Sequence, residues 1–129
     1  MTGVIIATHG TMASAALELC EMLTGTKEKV ETIGFCPGDS LEELMERFEK
    51  AIAALDGPTL ILTDIKGGSP CNVAMVMQKL HELVRVISGF NVPLLLHLFD
   101  TREEAEDLEE LMDEVIAVGK GAMCAAETD

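Results

Sequence analysis

Apolar and polar positions fall in blocks whose period switches between that of a strand and that of a helix. Residues 3 to 8 (GVIIAT) are a short unbroken apolar run, as a strand covered on both faces of a parallel sheet requires. Met12, Ala13, Ala16, Leu17, Cys20 and Leu23 then recur at helical spacing as far as Gly25, a residue suited to a helix C-terminus. Val30 to Phe35 reads as a second, weaker strand stopped by Pro37-Gly38. Ser40 followed by Glu43 forms a capping box, and Leu41, Leu44, Met45, Phe48, Ile52 and Leu55 make one apolar stripe. A helix is therefore expected from Leu41 to about Leu55, stopping at Gly57-Pro58.

Thr59 to Thr63 (TLILT) repeats the buried-strand pattern, with Asp64 at its carboxyl end. Residues 65 to 69 (IKGGS) must turn, because paired glycines disfavour helix and strand interiors. Ser69 as N-cap and Pro70 at the first helical position open a third helix, expected to reach about Leu83, and Val84 to Ser88 is a fourth strand. Asn91 and Pro93 open a short apolar helix. Thr101 with Glu104 offers a second capping box ahead of Leu108, Leu111, Met112, Val115 and Ile116, a fifth helix ending at Gly119. Gly121 to Ala125 is expected to add a short edge strand before a frayed tail. No repeat or linker interrupts this β-α-β-α order. It predicts one α/β domain over residues 1–129, with an open, mainly parallel, doubly wound sheet of order 2-1-3-4 and helices on both faces.

Composition narrows the functions this fold could carry. The 129 residues contain no Tyr or Trp and only four Phe, so aliphatic and Met side chains build the core and base stacking is nearly unavailable. Nine basic against 23 acidic residues give a net charge of −14, which repels phosphate backbones and anionic lipid. Neither nucleic-acid binding nor membrane insertion is expected, since the apolar runs fall far short of the ~20 residues a span needs. The N-terminus, MTGVIIATHG, lacks a basic region before its apolar stretch, which points to a cytoplasmic protein. Cys20, Cys36, Cys71 and Cys124 form no CxxC or Cys/His cluster, so neither a metal site nor a redox pair is expected, only reduced and mostly buried thiols. Residues 100 to 114 hold nine acidic side chains against one Arg and read as the solvated face of the fifth helix.

Ligands of open α/β sheets bind outside the carboxyl ends of the strands, where successive crossovers diverge. His9 directly follows strand one and Asp64 directly follows strand three. If those strands are neighbours, the two side chains come within hydrogen-bonding distance, and the carboxylate fixes the imidazole tautomer, leaving its other nitrogen as base or nucleophile. The helix opening at Ser69 adds free N–H groups and a positive dipole end, and Gly67-Gly68 lets an anion approach the backbone closely. Together these residues fit a phosphoryl group carried on histidine. A strand-end His that merely packs, and an ordinary Gly-Gly turn, fit the same spacing. His81 and His97 read as structural residues inside helices without acidic partners, and Cys71 has no resolving Cys nearby. Walker A, GxSxG, HExxH and GxGxxG motifs are missing.

IIATHG at 5 to 10, FCPGD at 35 to 39, TDIKGGSPCN at 63 to 72 and SGFNVPLLL at 88 to 96 occur in an order and spacing that resemble the enzyme IIA component of the mannose-family bacterial sugar phosphotransferase system. The resemblance runs almost end to end. It implies that His9 accepts a phosphoryl group from HPr on Nε2 and passes it to a IIB partner working with membrane subunits IIC and IID, without a cofactor. It further implies that Asp64 orients His9 through Nδ1, that Gly68 and Ser69 donate hydrogen bonds to the phosphoryl group, and that the chain is a homodimer exchanging its C-terminal strand. Lys66 and Cys71 depart from a mannose member, which has an aromatic and Phe there, so partner contacts and sugar class stay open. With no IIB sequence after residue 129, IIB is expected on a separate chain. Competing readings are the phosphotransfer subunit of dihydroxyacetone kinase, a phosphorylated regulatory module, and an anion-binding domain that is never phosphorylated.

Overall fold

The computed structural model describes residues 1–127. Nine elements follow in order: β1 (Gly3–His9), α1 (Met12–Thr24), β2 (Val30–Phe35), α2 (Leu41–Leu55), β3 (Thr59–Thr63), α3 (Ser69–Leu80), β4 (Val84–Ser88), α4 (Val92–Thr101) and α5 (Leu108–Ala122). The four strands form one parallel sheet of order β2-β1-β3-β4, the order expected.

Both central strands are covered on two sides, which explains their unbroken apolar sequences. Val4 and Ile6 of β1 and Leu60 and Leu62 of β3 pack in one core with Ala13, Cys20, Leu95, Leu98, Leu111 and Val115 of α1, α4 and α5. Ile5, Ala7 and Ile61 face the other way, against Leu44, Phe48 and Leu55 of α2 and Val73, Ala74 and Met77 of α3. The chain leaves β1 through α1 on one face and β3 through α3 on the other, so the switch point lies between the carboxyl ends of β1 and β3. Register pairs Ala7 with Thr63 there, which sets His9 and Asp64 side by side just beyond.

Local signals explain most boundaries, and several places differ from the expectation. α2 begins as foreseen, with the Ser40 hydroxyl accepting from Glu43 N–H at 3.1 Å. α3 stops at Leu80 rather than Leu83: His81 has extended backbone, and Val84 N–H donates to its carbonyl at 3.1 Å as the chain turns into β4. The Thr101–Glu104 box does not form. Thr101 is the last residue of α4, its hydroxyl donating to the His97 carbonyl at 2.7 Å, and Asp107 caps α5 by accepting from Glu109 and Glu110 N–H at 2.8 and 3.3 Å. Gly119 does not end α5 but lies inside it, because a Cβ there would meet Asn91 Oδ1 and Leu94 Cβ at 3.1 Å where α4 crosses. The edge strand expected at Gly121 to Ala125 is absent: Gly121 and Ala122 complete α5, and residues 123–127 are irregular and join no strand of the sheet.

Candidate functional site

Thr8 sets up the end of β1. Its hydroxyl donates to the His9 carbonyl at 3.1 Å and accepts from Ala13 N–H at 2.8 Å, tying His9 to the first turn of α1. Gly10 follows with φ +59°, the left-handed backbone that bends the chain away from the sheet. The His9 side chain is left 48% exposed beside an Asp64 side chain that is 16% exposed.

Asp64 grips His9 twice with one oxygen. Its Oδ2 lies 2.9 Å from His9 Nδ1 and accepts from the His9 backbone N–H at 3.1 Å, while Oδ1 accepts from Ile65 N–H at 3.1 Å. A carboxylate only accepts, so Nδ1 carries a proton, and in the neutral imidazole Nε2 presents its lone pair. Burial pushes the Asp64 carboxyl up, but its hydrogen bonds to the His9 side chain and backbone outweigh this and hold it below the ordinary carboxylate value.

The turn after β3 forms the third wall. Gly67 has φ +86°, and its carbonyl accepts from Asn72 Nδ2 at 3.2 Å. At Gly68 an added Cβ would lie 2.7 Å from His9 Cε1 and 3.4 Å from Nε2, so the bare backbone of this residue lies against the Cε1–Nε2 edge of the ring. Gly68 rather than Ser69 is the N-cap of α3, which moves Ser69 to the first helical position and Pro70 to the second. The first intrahelical donor is Asn72, to the Gly68 carbonyl at 2.9 Å. Ser69 and Cys71 N–H thus precede the helical ladder, and Pro70 has no N–H to leave orphaned. His9, Asp64 and Gly68 come together as expected, with Ser69 next in line and Gly67 shaping the turn.

Spacing alone missed one neighbour. The Phe35 ring, opposite His9 in the β1–β2 register, stands edge-on to the imidazole with centroids 6.2 Å apart and planes at 78°. Its signal was the FCPGD motif, which carried no chemistry of its own. The other histidines have carboxylates near them, contrary to expectation: His81 Nε2 is hydrogen-bonded to Glu49 Oε1 at 2.9 Å, while His97 Nε2 lies 3.5 Å from Glu114 Oε1 without a hydrogen bond. Those carboxylates come from α2 and α5, too distant in sequence for a spacing rule. Both pairs lie away from His9. Two of the four free cysteines, Cys36 and Cys124, are exposed rather than buried. Among the described residues no three His, Cys, Asp or Glu side chains converge as a metal cage would require, and no helix is long and apolar enough to cross a membrane.

Sequence and structure comparisons agree with one another. The mannose-specific EIIAB component of the phosphotransferase system (PTS) of Escherichia coli K12 is 36% identical over 119 residues, 91% of this chain and 37% of that protein, so the chain spans little more than a third of that relative. The sorbose-specific EIIA component of Klebsiella pneumoniae is 34% identical over 84% of this chain and 82% of its own length. The crystal structure of an EIIA component from Streptococcus agalactiae superposes with a TM-score of 0.90 at 27% identity, covering 97% of each chain. The profile described as PTS system fructose IIA component matches residues 3–116, and with it the chain belongs to the EIIA-man family of PTS IIA components.

Proposed function

We propose that this chain is a phosphohistidine carrier of sugar uptake, acting in the cytoplasm with residues 1–129 as a single EIIA domain. His9 Nε2 attacks the phosphorus of phospho-HPr; as the new N–P bond forms, the bond to the donor imidazole breaks and its electron pair stays with HPr. The same step in reverse sense hands the group to a IIB subunit serving IIC and IID. The observation that carries this reading is the 2.9 Å contact between His9 Nδ1 and Asp64 Oδ2, which selects the neutral tautomer whose Nε2 lone pair is free beside the α3 N-terminus. The ring gains positive charge when Nε2 is phosphorylated, and Asp64 stabilises that charge at Nδ1–H. The added phosphoryl oxygens are met by the N–H groups around Gly68 and Ser69, by the Ser69 hydroxyl and by the positive end of the helix dipole, in the turn that Gly67 shapes. Transfer between two imidazoles asks mainly for alignment and charge stabilisation, and needs no further cofactor.

Dimerisation belongs to the same reading. A groove of about 540 Å³ runs not at His9 but along the outer edge of β4, lined by Val86, Ser88, Leu94, Ile116 and Met123 among others. The exposed segment 121–125 of a partner copy, added there as a strand, would cover it.

The deciding experiment is incubation with phosphoenolpyruvate, enzyme I and HPr followed by intact-mass measurement. One acid-labile phosphoryl group, lost in His9→Ala, is expected. An unchanged mass with cognate proteins sinks the carrier role and favours the anion-binding alternative.

A further inference from the structure

The FCPGD segment has a structural role at His9 that the carrier mechanism above does not use. Gly10 N–H donates to the Phe35 carbonyl at 2.8 Å, so the last residues of β1 and β2 are locked together. Gly34, one residue earlier, lies so close under the Gly10 carbonyl that a Cβ has no room, and its own carbonyl accepts from Arg47 Nη1 at 2.8 Å. Beyond Phe35 the chain closes on itself: Cys36 N–H donates to Asp39 Oδ2 at 2.8 Å, Asp39 N–H returns to the Cys36 carbonyl at 3.0 Å, and Gly38 takes φ +94°. Phe35 is held by backbone on both sides, and its half-buried ring packs against the α2–α3 core.

His9 needs such a support. Its ring is half exposed, and the one side-chain bond to Asp64 fixes Nδ1 without fixing the plane about it. Two contacts limit that remaining freedom. Gly68 backbone lies against the Cε1–Nε2 edge, and the Phe35 ring meets the imidazole edge-on at 6.2 Å, within the ~4.5–7 Å at which aromatic pairs attract in this arrangement. We propose that Phe35 is a positioning residue for His9, one of two stops that hold the imidazole plane so that the Nε2 lone pair points at an incoming phosphorus. This rests on the carrier reading for its consequence, though not for its geometry. Loss of the stop widens the range of ring orientations, which lowers the rate of in-line transfer and leaves donor docking intact.

The test has two readouts. A ring free to turn spends part of its time out of line with Asp64 Oδ2, so ¹⁵N NMR of the His9 ring in unphosphorylated protein, which reports the fraction protonated at Nδ1, should show that fraction lowered in Phe35→Ala and restored in Phe35→Tyr, which keeps the ring. In transfer from phospho-HPr, Phe35→Ala should lower kcat about 10- to 100-fold with KM near wild type. A raised KM at unchanged kcat would make Phe35 a docking residue and overturn the proposal, as would a loss of thermal stability with tautomer and kcat unmoved. If Phe35→Ala does not fold, Phe35→Leu, which fills the space without an aromatic ring, carries both readouts. Absence of any phosphorylation in wild type defeats the carrier reading instead, and the NMR comparison still decides Phe35.

Discussion

Gly68 has φ −75° and ψ 163°, extended backbone that any residue can adopt, so a methyl group there strains no backbone and meets two side chains, the His9 ring at 2.7 Å and Ile65 Cγ2 at 3.2 Å. Gly68→Ala is therefore expected to fold with a near wild-type Tm while displacing the imidazole. Phosphoryl acceptance should fall at least about 10-fold; equal rates would show that the ring simply moves aside. Asp64→Asn separates charge from shape. The amide oxygen can still accept from Nδ1–H but cannot stabilise the phosphorylated ring, so transfer should slow by roughly 10²–10⁴-fold in quenched-flow measurements, and an unchanged rate would remove Asp64 from the mechanism. The same side chain governs part of the acid response. Because its pKa is lower folded than unfolded, Asp64 contributes stability that is present above the ordinary carboxylate value and is lost as pH falls through the depressed one. Urea midpoints of wild type should thus drop more steeply on acidification than those of Asp64→Asn; parallel curves would contradict this.

At the scale of elements, the starts of α2, α4 and α5 are each held by a polar side chain, Ser40, Asn91 or Asp107, that reaches a free N–H. Ser40 was legible because its partner, Glu43 N–H, is three residues away, and Ser40→Ala should cost ~1 kcal/mol in urea unfolding. A midpoint equal to wild type would mean water satisfies that end equally well. The Thr101–Glu104 pattern looked equivalent but failed, because the α4 helix continues through Thr101 and its hydroxyl turns back to His97. Gly119 misled for another reason: a glycine that ends a helix and one that admits a crossing helix look the same in sequence. Here Asn91 Nδ2 donates to the Gly119 carbonyl at 2.8 Å, joining the start of α4 to the last turns of α5.

Across the whole molecule, the single basic residue of the acidic run proves to be structural. Arg102 is 1% exposed, the largest of the fully buried side chains. It stacks on Phe99 at 4.7 Å and donates to the carbonyls of Glu28, Lys29 and Thr2, tying the end of α4 to the loop before β2 and the start of β1. Burial lowers its pKa, partly offset by Glu28 and Glu103. Arg102→Ala strips several buried carbonyls of a charged donor and should destabilise by ~3 kcal/mol or more in denaturant unfolding; a shift within error would show that water takes over its bonds. The net charge of −14 acts at longer range. If HPr or IIB presents a basic face, association should slow as ionic strength rises, and a flat salt dependence rules out steering. The proposed dimer predicts twice the 13.9 kDa chain mass in light scattering, falling to one after deletion of residues 121–129, and a single chain mass for the intact protein would refute it.

By itself the sequence determined the alternation of strand and helix, because burial on both faces demands unbroken apolar runs in β1 and β3 and capping acts over three or four residues. It also marked His9, Asp64 and the Gly-Gly turn, since chemistry at strand ends follows from where an open α/β sheet admits ligands. What only the tertiary structure decided are contacts between residues far apart in the chain. The 55-residue reach from His9 to Asp64 closes because β1 and β3 are neighbours in register. Phe35 meets His9 because β2 pairs on the other side of β1, Arg102 finds carbonyls up to 100 residues away, and Gly119 yields to α4. Local rules act along the chain, whereas these contacts depend on which elements pack together, and that choice is made by the whole core at once.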